Sequence, residues 1–189
     1  LLGAGNGLIH ALESNNSDYL VNTMNVWGGR TNKAFNGMQK GRRVKLNDKD
    51  VEITLSPEFA DKVEEAGTII YQSSVTASYG KEYVVRQLTG VSPEHFRVNK
   101  IDLMFGRPIN EVDIKDRRRV VVMDSNDARE LLGVDGERET GLSAMQKAEK
   151  AKALIGEYVK IGSFMFQVIG ITRPNNQGYV HIFTPITTL

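Results

Sequence analysis

Tyr158-Val159-Lys160-Ile161-Gly162-Ser163-Phe164-Met165-Phe166-Gln167-Val168-Ile169-Gly170-Ile171 is the stretch on which the fold turns. Aromatic and β-branched residues dominate both halves and Gly162 separates them, so it reads as a two-stranded hairpin. Gly170 interrupts the second apolar run, and a glycine inside a strand marks a bulge or a close backbone approach. Upstream, Leu142, Met145, Ala148, Ala151 and Ile155 recur at helical spacing. Gln146, Lys147, Glu149, Lys150 and Lys152 fill the other face, and Gly156 ends the helix. Downstream, Arg173 to Gly178 reads as a turn before a last strand.

Farther out the same logic holds. Arg119 to Met123 is an apolar strand, and Asp124 or Ser125 can cap a short helix ending at Leu131-Leu132-Gly133. Residues 134–140 are acidic and read as a loop. Gly106-Arg107-Pro108 is a turn, Asp113 to Arg119 is charged, and Ser92-Pro93-Glu94 starts a short helix through Val98. Thr68 to Val75 and Lys81 to Leu88 are strands joined by Ser78-Tyr79-Gly80, a connection short enough to make them antiparallel. Ser56-Pro57-Glu58 starts another helix, with Phe59, Val63 and Ala66 on one face and Gly67 as its stop. Val44 to Leu46 and Val51 to Ile53 read as short strands about a turn at Asn47 to Lys49. Residues 31–43 read as a polar loop, Asn22 to Trp27 as a strand, and residues 8–20 as a helix. The class is α+β, without the strand–helix repeat of a doubly wound sheet.

Composition narrows the function. The chain has 189 residues, 40% hydrophobic, with a formal charge of +1. That is too apolar for disorder and too evenly charged for a broad nucleic-acid surface, so no nucleic-acid partner is expected. With Cys 0 there is no disulfide and no thiolate metal site. No apolar run approaches the roughly 20 residues of a membrane span. The start at Leu1-Leu2-Gly3 without Met, and the apolar end at Thr187-Thr188-Leu189, lead to the expectation of a domain excised from a longer protein.

Little points to catalysis. His10, His95 and His181 lie far apart, none at metal-ligand spacing. No serine sits in a nucleophile elbow, and the carboxylates Glu64-Glu65, Asp102, Glu111 and Asp113 fall in segments that read as solvated. Gly3, Gly5 and Gly7 miss the dinucleotide spacing and follow no strand. Neither an enzyme activity nor a cofactor or metal is expected. The basic runs Lys40-Gly41-Arg42-Arg43 and Arg117-Arg118-Arg119 are flanked by Asp48, Asp50, Asp113 and Asp116, which favours a solvated face or a protein contact. Phe35 stands in a polar, glycine-bounded loop where exposure is expected, whereas Trp27, in a strand, reads as core.

Four segments together resemble the extracytoplasmic core domain of MacB-type, FtsX-like ABC transporter permeases, in the variety common in Bacteroidetes-like bacteria. Gly5-Asn6-Gly7-Leu8 resembles the end of a first membrane helix. Gly90-Val91-Ser92-Pro93-Glu94-His95-Phe96 is similar to the family's glycine–valine–x–proline–x–aromatic–phenylalanine segment. Gly106-Arg107-Pro108-Ile109-Asn110, with Asp113 and Arg119-Val120-Val121-Val122, is similar to its glycine–arginine corner and following strand. Gly156 to Gly162 through Phe166 to Ile171 is similar to its closing hairpin, and Ile182-Phe183-Thr184-Pro185 to its return to the membrane. The family's usual proline is missing at Leu154-Ile155-Gly156, after an inserted loop and helix over 134–155.

The resemblance implies a two-lobed α+β periplasmic core. One lobe is a porter-like α/β sandwich over 1–100 completed by 173–189, and the other is a smaller strand-rich lobe over 101–172 carrying the inserted helix near 141–155. It implies a non-catalytic domain on the periplasmic face of the inner membrane, in a multi-pass parent. That domain would relay ATP-driven motion from a cytoplasmic ABC ATPase subunit to a periplasmic adaptor and an outer-membrane channel, or serve lipoprotein or peptide export. The parent is expected to be dimeric and the isolated domain monomeric. Partner-contact candidates are Phe35, Arg42, Arg43, Arg107 and Arg117. The alternative is a free-standing extracytoplasmic ligand-binding module, which would show a closed apolar cleft. A hydrolase built on scattered carboxylates or His181 would show converging titratable groups.

Overall fold

Val120 to Asp124 (β4) is buried at every residue, so this strand is covered on both faces. The covering is built on both sides of one sheet. The computed structural model describes residues 23–134, 144–174 and 181–189. The chain divides into two compact units, Tyr19–Ala66 and the remainder.

In the larger unit the strands are Ile69–Tyr79 (β1), Glu82–Val91 (β2), Leu103–Gly106 (β3), β4, Tyr158–Ile161 (β5), Phe164–Thr172 (β6) and His181–Pro185 (β7). Their order is β3-β6-β4-β7-β2-β1-β5, and β5 also pairs with β6. The six strands from β6 round to β5 therefore form a closed ring of pairings, with β3 as an outrigger. β1 and β2 are antiparallel with Ala77 opposite Val84, as the short connection requires. β7 runs parallel to β2. β4 runs parallel to β6. The β5–β6 hairpin places Val159 opposite Phe166 and Ile161 opposite Phe164.

Every strand of the ring contributes to one buried cluster: Ala77, Val84, Leu88, Val121, Met123, Val159, Ile161, Phe166, Val168, Ile171 and Ile182. Ala128 and Leu131 of the helix Ser125–Leu131 (α4), Ala151 of the helix Ala144–Ala151 (α5) and Leu154 of the 3₁₀ turn Lys152–Leu154 after it close the cluster. The other face of β4 points Val120 and Val122 into a second cluster with Val91, Phe96, Ile109 and Ile169. Both clusters need Gly170. Val121 stands opposite Val168 but Val122 stands opposite Gly170, so Ile169 is the extra residue of a β-bulge. That slip lets Ile169 and Ile171 face opposite clusters. A Cβ at Gly170 would lie 2.5 Å from the Arg107 carbonyl oxygen. The expected bulge and close approach are thus the same feature.

The short helices follow their caps. Asp124 caps α4 by accepting from the Asn126 amide at 2.7 Å. Glu94–Val98 (α2) begins after Ser92-Pro93 as expected. His95 and Phe96 pack on Phe183 of β7, with ring centroids 5.5 and 5.4 Å away. The charged stretch after Asn110 hides a helix that its polarity concealed, Glu111–Lys115 (α3), with a reciprocal capping box between Asn110 and Asp113.

The smaller unit departs most from expectation. Val51 to Ile53 is not a strand but part of the helix Asp48–Thr54 (α1). Asn47 accepts from the Lys49 amide at 2.9 Å and its own amide donates to Asp50 at 2.7 Å, so a capping box outweighs the β-branched residues. Ser56-Pro57 starts only a single 3₁₀ turn, Pro57–Phe59. Residues 23–29 carry no regular structure, and Trp27 is 70% exposed rather than core. No described residue between 23 and 66 is buried, so the spacing of Phe59, Val63 and Ala66 finds no core to face. The expected helix over 8–20 and loop over 134–140, apart from Val134, lie outside the described residues.

Candidate functional site

The five contact candidates fall into two groups. Arg107 and Arg117 flank α3. Gly106 turns the chain with φ +78°, and Arg107 then clasps Asp113 with both guanidinium nitrogens, Nη1 to Oδ2 at 2.5 Å and Nη2 to Oδ1 at 3.0 Å. Asp113 is fully buried and also accepts the Asn110 amide at 3.1 Å. Burial pushes its carboxyl up, but the Arg107 and Asn110 hydrogen bonds and the Arg107 and Arg118 charges outweigh that and hold it below the usual carboxylate range. Arg107 is thereby tied into an internal brace. Arg117 follows α3 with φ +50°, the place glycine usually takes after a helix, and its side chain is exposed.

Phe35, Arg42 and Arg43 come together on one irregular hairpin of the smaller unit. The Thr31 amide donates to the Arg42 carbonyl at 2.9 Å, and the Val44 amide to the Gly29 carbonyl at 2.8 Å. Phe35 and Met38 exchange backbone bonds at 3.1 and 3.0 Å across the tip. Asn36 and Gly37 sit there at φ 46° and 76°, the left-handed pair that a two-residue hairpin turn demands. Phe35 is 70% exposed at this tip. The stretch expected as a plain loop is a presented element.

A cluster that sequence reasoning missed lies where β2 meets α4. Arg86 Nε donates to Asp127 Oδ1 at 2.8 Å and its Nη2 to Glu130 Oε2 at 3.1 Å. Asp127 is buried, and its Oδ2 has no hydrogen-bond partner among the described residues. Burial raises its carboxyl to about 6; the Arg86 charge and hydrogen bond oppose the rise, and Asp124 and Glu130 add to it. The folded state therefore holds this proton after the unfolded chain has released it. Its contribution to stability is complete below the unfolded value near 3.8 and is lost as pH rises through about 6. Urea unfolding at pH 4.5 and 7.5 should show that fall, and Asp127→Asn should remove it. An unchanged pH slope in the variant would assign it to other groups. No sequence signal marked the cluster, because the spacing of Arg86 to Asp127 across 41 residues has meaning only after folding.

An open depression of about 500 Å³ is lined by Phe96, Arg97, Lys100, Ile101 and Asp102, among others. It is a mixed polar surface, not the closed apolar cleft of a ligand-binding module. Among the described residues, no three His, Asp or Glu side chains are grouped to hold a metal ion. His95 is engaged with Asn99 at 3.1 Å and packed at a tilt against Phe183. His10 lies outside the described residues. No described helix is long and apolar enough to cross a membrane.

Comparison with known proteins agrees with this geometry. The model of the MacB-like periplasmic core domain matches residues 1–189. The macrolide export ATP-binding/permease protein MacB of Shewanella sp. strain W3-18-1 is 24% identical over 194 residues, covering 100% of this chain and 26% of that protein. The protein of the same name from Campylobacter jejuni is 25% identical over 174 residues, covering 89% of this chain and 24% of its own length. The chain thus spans about a quarter of the curated relatives it matches. Among solved structures, the extracellular domain of the noncanonic ABC-type transporter YknZ from Gram-positive bacteria superimposes with a TM-score of 0.58 at 20% identity, over 76% of this chain and 64% of that one. The periplasmic region of MacB from Actinobacillus actinomycetemcomitans gives 0.52 at 19% identity, over 84% and 64%. The mixed α+β fold is therefore shared with these domains, and the chain belongs to the MacB-like periplasmic core domain family.

Proposed function

We propose that this domain is the extracytoplasmic coupling element of an ABC transporter permease, carrying ATP-driven conformational change from a cytoplasmic ATPase to periplasmic partners in efflux or in lipoprotein or peptide export. The family match over the whole chain is the observation that carries this reading. The names of the curated relatives, which join ATP binding to a permease, supply the ATPase. In the proposal the parent is a dimer at the inner membrane, and its partners include a periplasmic adaptor and an outer-membrane channel. The porter-like lobe over 1–100 with 173–189 and the strand-rich lobe over 101–172 are kept as its division of labour.

Physical features of the larger unit support the relay. A ring of paired strands braced by α4 and α5 is stiff, and packed elements pass on displacement as discrete rearrangements. The hairpin with Phe35, Arg42 and Arg43 is the proposed contact element. Arg107, held by Asp113, acts as a brace beside Arg117, which stays exposed.

The test uses the parent permease, with any cysteines outside this domain replaced and one cysteine introduced at exposed Tyr83. Spin labels in the two copies should give different distances in the nucleotide-free and ATP-trapped states, by several times the roughly 0.5 Å of thermal displacement in an ordered region. Superimposable distance distributions would sink the relay.

A further inference from the structure

We infer that the hairpin from Gly29 to Val44 docks on an anionic phospholipid bilayer, with its cations on the headgroups and Trp27, Phe35 and Met38 at the acyl boundary. The hairpin's standing as a contact element is taken from the proposed function. What it touches is new, and binding to lipid does not require the relay of motion.

Charge is the first ground. Residues 23–47 contain Arg30, Lys33, Lys40, Arg42, Arg43 and Lys45 and not one Asp or Glu, although the whole chain nets only +1. The acids that follow the run in sequence begin at Asp48, and the Asp50 carboxylate is occupied in capping α1. All six cations are exposed. Among the described residues none of them makes an ion pair. The polar contacts of their side chains are Arg30 to the Gly41 carbonyl at 3.2 Å and Arg42 to the Met38 sulfur. Six uncompensated cations on one short segment form a field that calls for an anionic counterpart.

The apolar side chains are the second ground. Met24, Val26, Trp27, Phe35, Met38, Val44 and Leu46 are all exposed. Phe35 and Met38 stand opposite each other across the turn at the tip. Seven exposed apolar groups on one segment of 25 residues mark an interaction surface. Aromatic residues with Lys and Arg around them are the composition that settles at a membrane–water interface.

A lipid surface fits better than an acidic protein for two reasons. The apolar groups are open to solvent, from 39% at Met38 to 84% at Met24, which suits a soft medium that parts around them. Among the described residues, no side-chain hydrogen bond orients the cations apart from the Arg30 and Arg42 contacts, which suits mobile headgroups.

Trp27 is the only tryptophan in the chain and stands in the segment itself, so its fluorescence reports on this surface alone. The purified chain is titrated with vesicles of phosphatidylglycerol and phosphatidylcholine, with phosphatidylcholine vesicles, with inorganic phosphate and with polyglutamate. The expected result is a blue shift of Trp27 emission, and quenching by brominated acyl chains, with the anionic vesicles only. The shift should disappear in 1 M salt, where the Debye length is about 3 Å. A basic residue at an anionic surface is worth about a fivefold change in partitioning, so Arg42→Gln with Arg43→Gln should weaken binding about twenty-five-fold. Both sites are exposed, and unchanged circular dichroism checks the fold; the salt arm needs no variant. A shift as large with phosphatidylcholine alone, or none with anionic vesicles, overturns the proposal. A response to polyglutamate without one to vesicles overturns it in favour of an acidic protein partner, and a response to phosphate alone overturns it as a free-ion effect. None of these outcomes alters the resonance test of the relay.

Discussion

Replacing Asp113 with alanine is expected to lower the unfolding free energy by about 2–4 kcal/mol, from about 1 kcal/mol for the lost cap and about 1.5–3 kcal/mol for the lost hydrogen bonds to a charged group, while Arg107, 40% exposed, keeps its own charge in water. Asp113 is fully buried and receives both Arg107 nitrogens as well as the Asn110 amide, while Arg118 Nη1 stands 4.0 Å away. The substitution removes the capping box of α3 together with the charge that anchors the Gly106-Arg107-Pro108 corner. Denaturant unfolding measures the loss. Arg107→Ala should also be costly, because it strands a carboxylate in the interior. The double variant should be more stable than the sum of the two single losses predicts. Strictly additive losses would mean that the pair does not act as a unit. The acid limb gives an independent reading. A carboxyl held below its ordinary value contributes stability that is complete above the unfolded value near 3.8 and is lost as pH falls through the folded value. Asp113→Asn should flatten that limb.

Gly106→Ala is expected to cost at least about 3 kcal/mol, from left-handed strain of about 1–3 kcal/mol and a comparable overpacking term. The residue has φ +78°, and a Cβ there would lie 2.2 Å from the Ile169 carbonyl oxygen and 2.8 Å from the Gly170 Cα. Both obstacles are backbone, so no side chain can yield. The Ile169 carbonyl is also the acceptor for the Arg107 amide at 3.0 Å, the bond that starts the corner. Gly133→Ala supplies the control. Its φ is +65°, but the nearest atom to an added Cβ is Glu82 Cγ at 3.5 Å, so it carries the strain without the collision. Equal melting temperatures for the two variants would refute the collision.

These two predictions tie together the Gly106–Asn110 corner, the α3 cap and the bulge at Gly170, segments that the family pattern quotes as separate motifs. In the folded chain they are one joint between β3, β6 and α3. The Gly90–Phe96 segment has a similar explanation. His95 and Phe96 are the surface on which Phe183 of the terminal strand rests.

Local signals were legible wherever one force dominated. The β5–β6 hairpin, the β1–β2 pair and the capped helix after Asp124 all follow from alternation, connection length and a cap. Reading failed where local forces competed. At Val51 to Ile53 the β-branched residues argued for a strand after a turn, and the capping box of Asn47 with Asp50 won. At Glu111 to Lys115 charge argued against regular structure, yet Asn110 and Asp113 close a helix whose third residue is fully buried. Trp27 reads as core from its place in an expected strand, but no described residue between 23 and 66 is buried. Of the contact candidates, the sequence could name Phe35, Arg42 and Arg43 but not show that one hairpin carries them.

By itself the chain's order of residues determined the class, the β1–β2 and β5–β6 hairpins, the Asp124 cap and the family, because these depend on periodicity and on neighbours a few positions apart. Only the tertiary structure decided that the strands close into a ring, that Arg107 is spent on Asp113, and that Asp127 is buried beside Arg86. Those outcomes depend on which distant segments meet and how much water they exclude, and burial and Coulomb energy are properties of that meeting.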